Sequence, residues 1–349
     1  MWNQSPIFVN GFSRGGTTIL TNLLASHPSV CLVGETHHLF KGHSITDSHW
    51  NVLRKCIYND APILARQWQD FFSPRLVEPR KRLGRWARKR IDHVFYREKL
   101  RSRHPILNRF KSPAEEYAQE ELAAARLLAK NIDGMIYATD EFARMYPDAN
   151  FFGLLRNGLA VCEGHLRRGR SAEEIGWRYQ VLVDKMFADA DRIPHYKLLR
   201  FEDLLSQPAE TLFSVFAHAG LDPERVSQVR MQARRVMDSA GNHRLQGSSE
   251  WDVTWLPVSE LSTYLQRDVD SNQVRQLSEA NRDAFLKQAG RAMERLGYST
   301  EVAPVAGSVA ADATHDEADS PSIISIEEAR QQRRQTTYLN QLESQRKAA

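Results

Sequence analysis

The chain has 349 residues, of which 42% are hydrophobic and 26% charged, and its net charge is +4. That is the balance of soluble globular material, long enough for one large core or two modest ones. It excludes a membrane-spanning protein of the helical kind, since no apolar run approaches the ~20 residues a span needs. The first apolar strand is expected within six residues of Met1, which leaves no room for a signal peptide. Cys31, Cys56 and Cys162 are far apart and form no C-x-x-C pair, which argues for free thiols, a reducing, cytoplasmic setting, and against zinc. The charge is uneven. Arg75 to Lys111 holds 14 Lys and Arg against 3 acids, a local +11, and the remaining residues carry −7.

From Pro6 to Pro28 the chain reads as strand, turn and helix. Ile7, Phe8 and Val9 are a short apolar run typical of a buried parallel strand. Gly11 to Gly16 is the turn, and Ile19, Leu20, Leu23 and Leu24 repeat at helical spacing. The turn has the G-x-x-x-x-G length of a phosphate loop, but Thr17 stands where its lysine belongs. Glycine-permitted amides at a helix N-terminus still favour an anion. The lysine that serves a triphosphate is missing, so the loop suits a phosphate but not Mg·ATP chemistry. Ser13-Arg-Gly-Gly-Thr-Thr18 resembles the R-S-G-T-T loop of PAPS-dependent sulfotransferases, closest in style to the tyrosylprotein and Golgi-type branch. The resemblance implies a three-layer α/β P-loop-like fold with a central parallel sheet. It implies that Arg14, Gly15, Gly16, Thr17 and Thr18 hold the 5′-phosphosulfate of 3′-phosphoadenosine 5′-phosphosulfate (PAPS), with no metal. Gly15 replaces the usual serine.

Val30 to Val33 reads as a second strand running into Gly34-Glu35-Thr36-His37. By its residues alone this is the start of a helix, with Glu35 favourable to the dipole. By resemblance to the G-E-E-T-R segment of the same branch, Glu35 is the catalytic base that takes the acceptor's proton, and His37 stands in place of an arginine. His37, His38 and His43 are further candidate bases, and no second ligand cluster suggests a metal.

Residues 45–111 are read as a variable insertion. Leu83, Trp86, Ala87, Ile91, Val94 and Phe95 form an apolar stripe, with Lys81, Arg82, Arg85, Arg88 and Lys89 filling most of the other face. That basic amphipathic helix is either a solvated face, an acceptor site for an anionic substrate, or a contact with an anionic membrane surface. Nucleic acid is not expected, since no binding motif accompanies the charge.

Ser112 to Ala129 reads as a helix ending at Lys130. Lys130 is either a surface lysine at the helix end or, by resemblance to the family's K-x-P segment, the cation that meets the leaving phosphate oxygen. A short helix is expected over Ile136–Tyr146. Pro147 to Gly158 resembles the family's F-P-x-A-x-F-I-x-x-x-R-D-P/G segment, with Asn150–Leu155 a buried strand and Arg156 at its C-terminal end. The resemblance gives Arg156 the donor's 3′-phosphate, and places Gly164 where a serine would add a second bond. Arg167, Arg168 and Arg170 lie near. A long helix over Ser171–Ala188, a strand over His195–Phe201 and a helix over Ala209–Gly220 follow; the R-F-E-D-L segment between them resembles a structural motif of the family. Gly241 to Gly247 is a loop in which Arg244 is a candidate donor contact, and a last helix spans Asn272–Leu296 before Gly297.

The domain expected is residues 1–300, followed by a flexible linker over 301–322 and a helical tail over 323–349. The function implied is transfer of a sulfuryl group from PAPS to a hydroxyl acceptor, releasing PAP. The acceptor is a peptide tyrosine, a glycan, a lipid headgroup or a small molecule. The rival readings are a P-loop nucleotide kinase or NTPase, a non-catalytic PAP(S)-binding relative, and an interaction module in which the basic helix and the tail dominate.

Overall fold

A computed structural model describes residues 5–42, 48–61, 82–102, 119–232, 234–237, 243–246, 253–265 and 269–298. All lie in one compact unit, Met1–Glu301. The linker and tail expected over 301–349, with Lys81, His43 and much of the 45–111 insertion, lie outside the described residues.

Five strands form one parallel sheet: β1 (Ile7–Gly11), β2 (Val30–Glu35), β3 (Arg126–Ile132), β4 (Asn150–Leu155) and β5 (Tyr196–Arg200), in the order β2-β3-β1-β4-β5. β1 is central, flanked by β3 and β4. The chain leaves it in opposite directions, and a crevice opens at the C-terminal ends of such strands.

Alternation along β1 decides the layers. Ile7 and Val9 face one side, where they pack with Ile19, Leu20, Leu23 and Leu24 of α1 (Thr17–Ala25) and with the helix Pro208–Ala219. Phe8 faces the other, packed with Phe151 and with Phe142 of the helix Thr139–Met145. Ile91, Val94 and Phe95 of α3 (Arg85–Arg101) cover that side, and α2 (Thr36–Lys41) follows β2 directly. A third cluster lies beyond the end of β4. It is built from α4 (Gly158–Leu166), α5 (Ala172–Arg192) and α7 (Glu279–Arg295), with Tyr179 and Phe285 fully buried between them. Both Cys31 and Cys162 are buried free thiols, and burial pushes the Cys162 thiol up to about 12.

Four expectations are corrected. Lys130 does not end a helix: after Gln119–Ala124 the chain enters β3, and Leu127, Leu128 and Ala129 are fully buried there. Their alanine and leucine content suits a helix, but pairing on both edges of a central strand overrides that propensity. Trp86 is 43% exposed and leaves the apolar stripe. The last helix is two, α6 (Val269–Arg275) and α7, because the Ser278 side chain accepts from Asn281 N and starts a new helix. Finally, His243–Gln246 is a strand paired with Arg234–Met237 rather than a loop, and Arg244 lies opposite Val236.

The basic face of α3 is partly spent inside the protein. Arg88 pairs with Glu141, Arg97 donates to Asn59 and Glu98, and buried Lys99 donates to the carbonyls of Ala123 and Ala125 at 3.1 Å. Arg82, Arg85 and Lys89 remain exposed beside Trp86.

Behind the C-terminal ends of the strands runs a buried chain of polar side chains. Thr36 Oγ1 donates to Asn131 Oδ1 at 2.5 Å, and Asn131 Nδ2 to Asn10 Oδ1 at 3.0 Å. Asn10 Nδ2 in turn donates to Thr139 Oγ1 at 2.9 Å and to Tyr196 OH at 3.1 Å. Buried amides are kept only when satisfied. We expect Asn10→Leu, which strands Asn131 Nδ2, to cost about 1–3 kcal/mol; a urea titration reads this as a lowered midpoint.

Candidate active site

The 11–16 loop leaves the end of β1 and enters α1 through Gly16, whose φ of 82° and ψ of 2° are left-handed. A Cβ at Gly16 would stand 2.3 Å from the Phe201 ring, so close packing as well as φ demands glycine. Gly15 donates to Phe12 O at 2.9 Å, and a Cβ there would meet that oxygen at 2.9 Å. Arg14 also has a positive φ, 66°.

Three distant residues fix the loop. Asp133 Oδ1 accepts from Ser13 N at 3.0 Å. His165 Nε2 meets Ser13 O at 3.0 Å, and burial lowers this histidine's pKa against the opposing pull of Asp133. Arg156 Nη1 donates to Arg14 O at 2.6 Å. By contrast α1 has no side-chain cap and no acid in its first turn. A helix start of this kind, capped by no side chain of the protein's own, favours an anion.

Glu35 and Lys130 face this turn from β2 and β3. The two are cross-strand partners in register, and Lys130 is also opposite Val9 of β1. A bulge between Leu32 and Gly34, with Gly34 at φ 114°, re-aims the end of β2 and brings Glu35 to its place. Lys130 Nζ lies 2.8 Å from Glu35 Oε1 and donates to Thr18 Oγ1 at 3.1 Å. His38 Nδ1 lies 3.2 Å from Glu35 Oε2. Glu35, Lys130, Thr18 and His38 thus form one connected polar group. Ligand atoms of Glu35, His37 and His38 lie within 4.8 Å of one another, a set that suits a cation by geometry. The Lys130 ammonium beside the carboxylate opposes one by charge.

Arg156, one residue past β4, is 6% exposed. It stacks on Phe201 at 4.6 Å, and Nε donates to Asp270 Oδ1 at 2.9 Å while Nη2 donates to Asp270 Oδ1 and, at 2.6 Å, to Gln273 Oε1. Gly164 in α4 lies against Arg14: a Cβ there would be 3.1 Å from both Cβ and Cγ of Arg14. A serine at 164 would crowd this arginine, so the glycine and the side chain it accommodates belong together.

The loop residues, Glu35, Lys130 and Thr18 therefore meet at one end of the sheet. Arg156 and Gly164 meet the loop from its other side. Arg244 lies in the hairpin, and only its backbone is described. Sequence reading missed Asp133, Phe201, Asp270 and Gln273, each of which contacts the loop or Arg156 from a remote part of the chain; it considers His165 only as a stand-in donor near Gly164, whereas the ring meets Ser13 O. Phe201 alone carried a local signal, as the last residue of an expected strand.

Residues 6–225 match the sulfotransferase family. Among solved structures, the sulfotransferase domain from the curacin biosynthetic pathway is similar over 85% of this chain and 98% of its own, at 14% identity and a TM-score of 0.44. That of the Synechococcus PCC 7002 olefin synthase is similar over 86% and 97%, at 12% identity and 0.43. A retinol dehydratase in complex with androsterone and the inactive cofactor PAP is similar over 86% and 83%, at 13% identity and 0.33. No curated protein matches.

The glycines give a direct test of how the loop is held. Gly169 has φ 75° with nothing within 4 Å of an added Cβ, whereas Gly16 at φ 82° is packed on Phe201. Gly169→Ala is expected to cost about 1–2 kcal/mol from the left-handed backbone alone. We expect Gly16→Ala to cost clearly more in the same thermal unfolding measurement. Equal losses would mean that Phe201 does not set the loop.

Proposed function

Because the chain belongs to the sulfotransferase family, we propose that it transfers the sulfuryl group of PAPS to a hydroxyl acceptor and releases PAP. The observation that carries this reading is the uncapped, lysine-free start of α1, faced by Lys130 and Glu35 from the neighbouring strands. The two negative charges of a 5′-phosphosulfate, spread over its non-bridging oxygens, match amide donors, a dipole end and one ammonium, without a metal.

In the proposed step the acceptor oxygen forms a bond to sulfur as the bond from sulfur to the bridging phosphate oxygen breaks. Glu35 takes the acceptor's proton. Lys130 meets the charge that collects on the bridging oxygen, and Arg14 with the amides of Gly16 to Thr18 holds the phosphate, the Gly15 amide being bonded to Phe12 O. The 2.8 Å pairing of Glu35 with Lys130 has a consequence here. An ammonium on the carboxylate weakens it as a base, so Lys130 must turn from Glu35 toward the donor for the base to be effective. Thr18 Oγ1, its other partner, lies at the start of α1 and directs it that way. His38 Nδ1 stands 3.2 Å from the opposite oxygen of Glu35.

Arg156 is assigned to the donor's 3′-phosphate, where a planar bidentate donor fits best. The acceptor belongs to the insertion that begins after α2. The exposed Arg82, Arg85 and Lys89 with Trp86 suit an acceptor or surface that is itself anionic. Among the described residues no helix is long and apolar enough to cross a membrane. Residues 1–300 are proposed as the catalytic domain, with 301–322 a linker and 323–349 a tail.

Calorimetry with PAP and with Mg·ATP tests the donor. Binding of PAP and not of Mg·ATP is expected; the reverse would return the loop to phosphoryl transfer. With an acceptor found by screening tyrosine peptides, glycans, lipids and phenols against labelled PAPS, Glu35→Gln should lower turnover about 10²–10⁴-fold. Its affinity for PAP should stay within twofold. Near-normal turnover in this variant would remove Glu35 from the base role.

A further inference from the structure

Arg156 is already engaged by its own chain. A guanidinium has five N–H donors, and here Nε and Nη2 are given to Asp270, Nη2 also to Gln273, and Nη1 to the Arg14 carbonyl. The Asp270 carboxylate therefore stands where an anionic oxygen of a ligand would meet Arg156. It is nearly buried, and its Oδ2 has no hydrogen-bond partner among the described residues. A buried carboxylate with an unspent oxygen is an unusual neighbour for a phosphate seat. Glu202 is the neighbouring acid: burial first, and its contact with Asp270, raise its pKa against the bonds it accepts from Asn157 N at 2.8 Å and Tyr298 OH at 2.8 Å.

Asp270 and Gln273 lie on α6, the short helix that Ser278 separates from α7. That separation gives them a position of their own. Val274 and Leu277 pack into the third cluster, and Gln276 accepts from Arg167 of the turn that ends α4. The helix is thus held against α4, and its first turn faces the Arg156 guanidinium.

We propose that Asp270 acts as a built-in competitor for the donor's 3′-phosphate at Arg156 and sets how far the protein favours nucleotides that carry this phosphate. The proposal rests on the donor reading given above. Two anions on one guanidinium repel each other, so a 3′-phosphate binds only as Asp270 gives up its bonds to Arg156. A nucleotide with a free 3′-hydroxyl makes no such demand, and its hydroxyl is a donor that a carboxylate accepts. The discrimination between the two nucleotides is therefore held low by a residue that never touches the transferred group. A repulsive element of this kind controls selectivity as effectively as an attractive one.

The test is calorimetry of the full chain with PAP and with 5′-AMP, which lacks the 3′-phosphate, on the wild type and on Asp270→Asn and Asp270→Ser. Thermal unfolding checks that each variant is folded; the serine variant stands in if the asparagine one is not. Expected is a gain of about tenfold in PAP affinity for the Asp270 variants, with 5′-AMP binding within threefold of the wild type. Unchanged or weaker PAP binding in the Asp270 variants overturns the proposal. An equal gain for both nucleotides also overturns it, because the 3′-phosphate would then not be the group that Asp270 opposes. Binding of 5′-AMP without PAP in every form leaves nucleotide recognition at the loop but removes the 3′-phosphate from Arg156. Binding of neither nucleotide by any form defeats the donor reading itself, and this proposal with it.

Discussion

The site depends on a division of hydrogen-bonding labour in the six residues after β1. The loop is tied to the rest of the protein through Ser13 N, Ser13 O and Arg14 O, which bond Asp133, His165 and Arg156. The donors at the start of α1 are not taken by any capping side chain. Most helices place serine, threonine or an acid there. Gly16 offers no side chain at all, and its left-handed turn is locked by the Phe201 ring. The protein therefore gives up the stability of a cap and obtains fixed, outward-facing donors. That exchange is what preorganised anion binding requires.

The second half of the site is a matter of register. Glu35 and Lys130 are far apart in sequence but adjacent across two parallel strands. Strand pairing brings their backbones together, and the bulge at Gly34 sets the aim. A slip of one residue would turn Lys130 to the other face of the sheet. The neighbouring Thr36, Asn131 and Asn10 make such a slip costly, because their buried polar groups pair in one register only. The network is a framework for the site rather than part of its chemistry.

Much of this was legible in the sequence, for a definite reason. β1, β2, β4 and α1 carry short, unmixed apolar patterns, and the turn glycines mark where they meet. The residues that project from strand ends, Glu35, Lys130 and Arg156, sit beside these patterns and can be singled out locally, with the family resemblance supplying their roles. Lys130 was placed on the wrong kind of element, since the Leu-Leu-Ala run before it lacks the β-branched residues that usually mark a strand. What stayed hidden acts across long separations. No local pattern joins Gly16 to Phe201, Arg14 to Gly164, or Arg156 to Asp270. The break before Ser278 was missed because apolar spacing continues through it, although Ser278 followed by Glu279 is a recognisable helix start.

The central place of β1 also bears on how the chain is made. β1 and the glycine loop leave the ribosome well before their partners β3 and β4, which begin at Arg126 and Asn150. At common elongation rates, roughly 10 s pass before either partner strand exists. During that interval Ile7, Phe8 and Val9 form an apolar edge with nothing to pair, next to a helix whose buried face is equally uncovered. Parallel pairing over such separations is slow even once the chain is complete. The nascent β1–α1 segment is therefore the part of this fold most in need of a holding chaperone. Production of this protein should respond more to added chaperone than to any change in the finished fold.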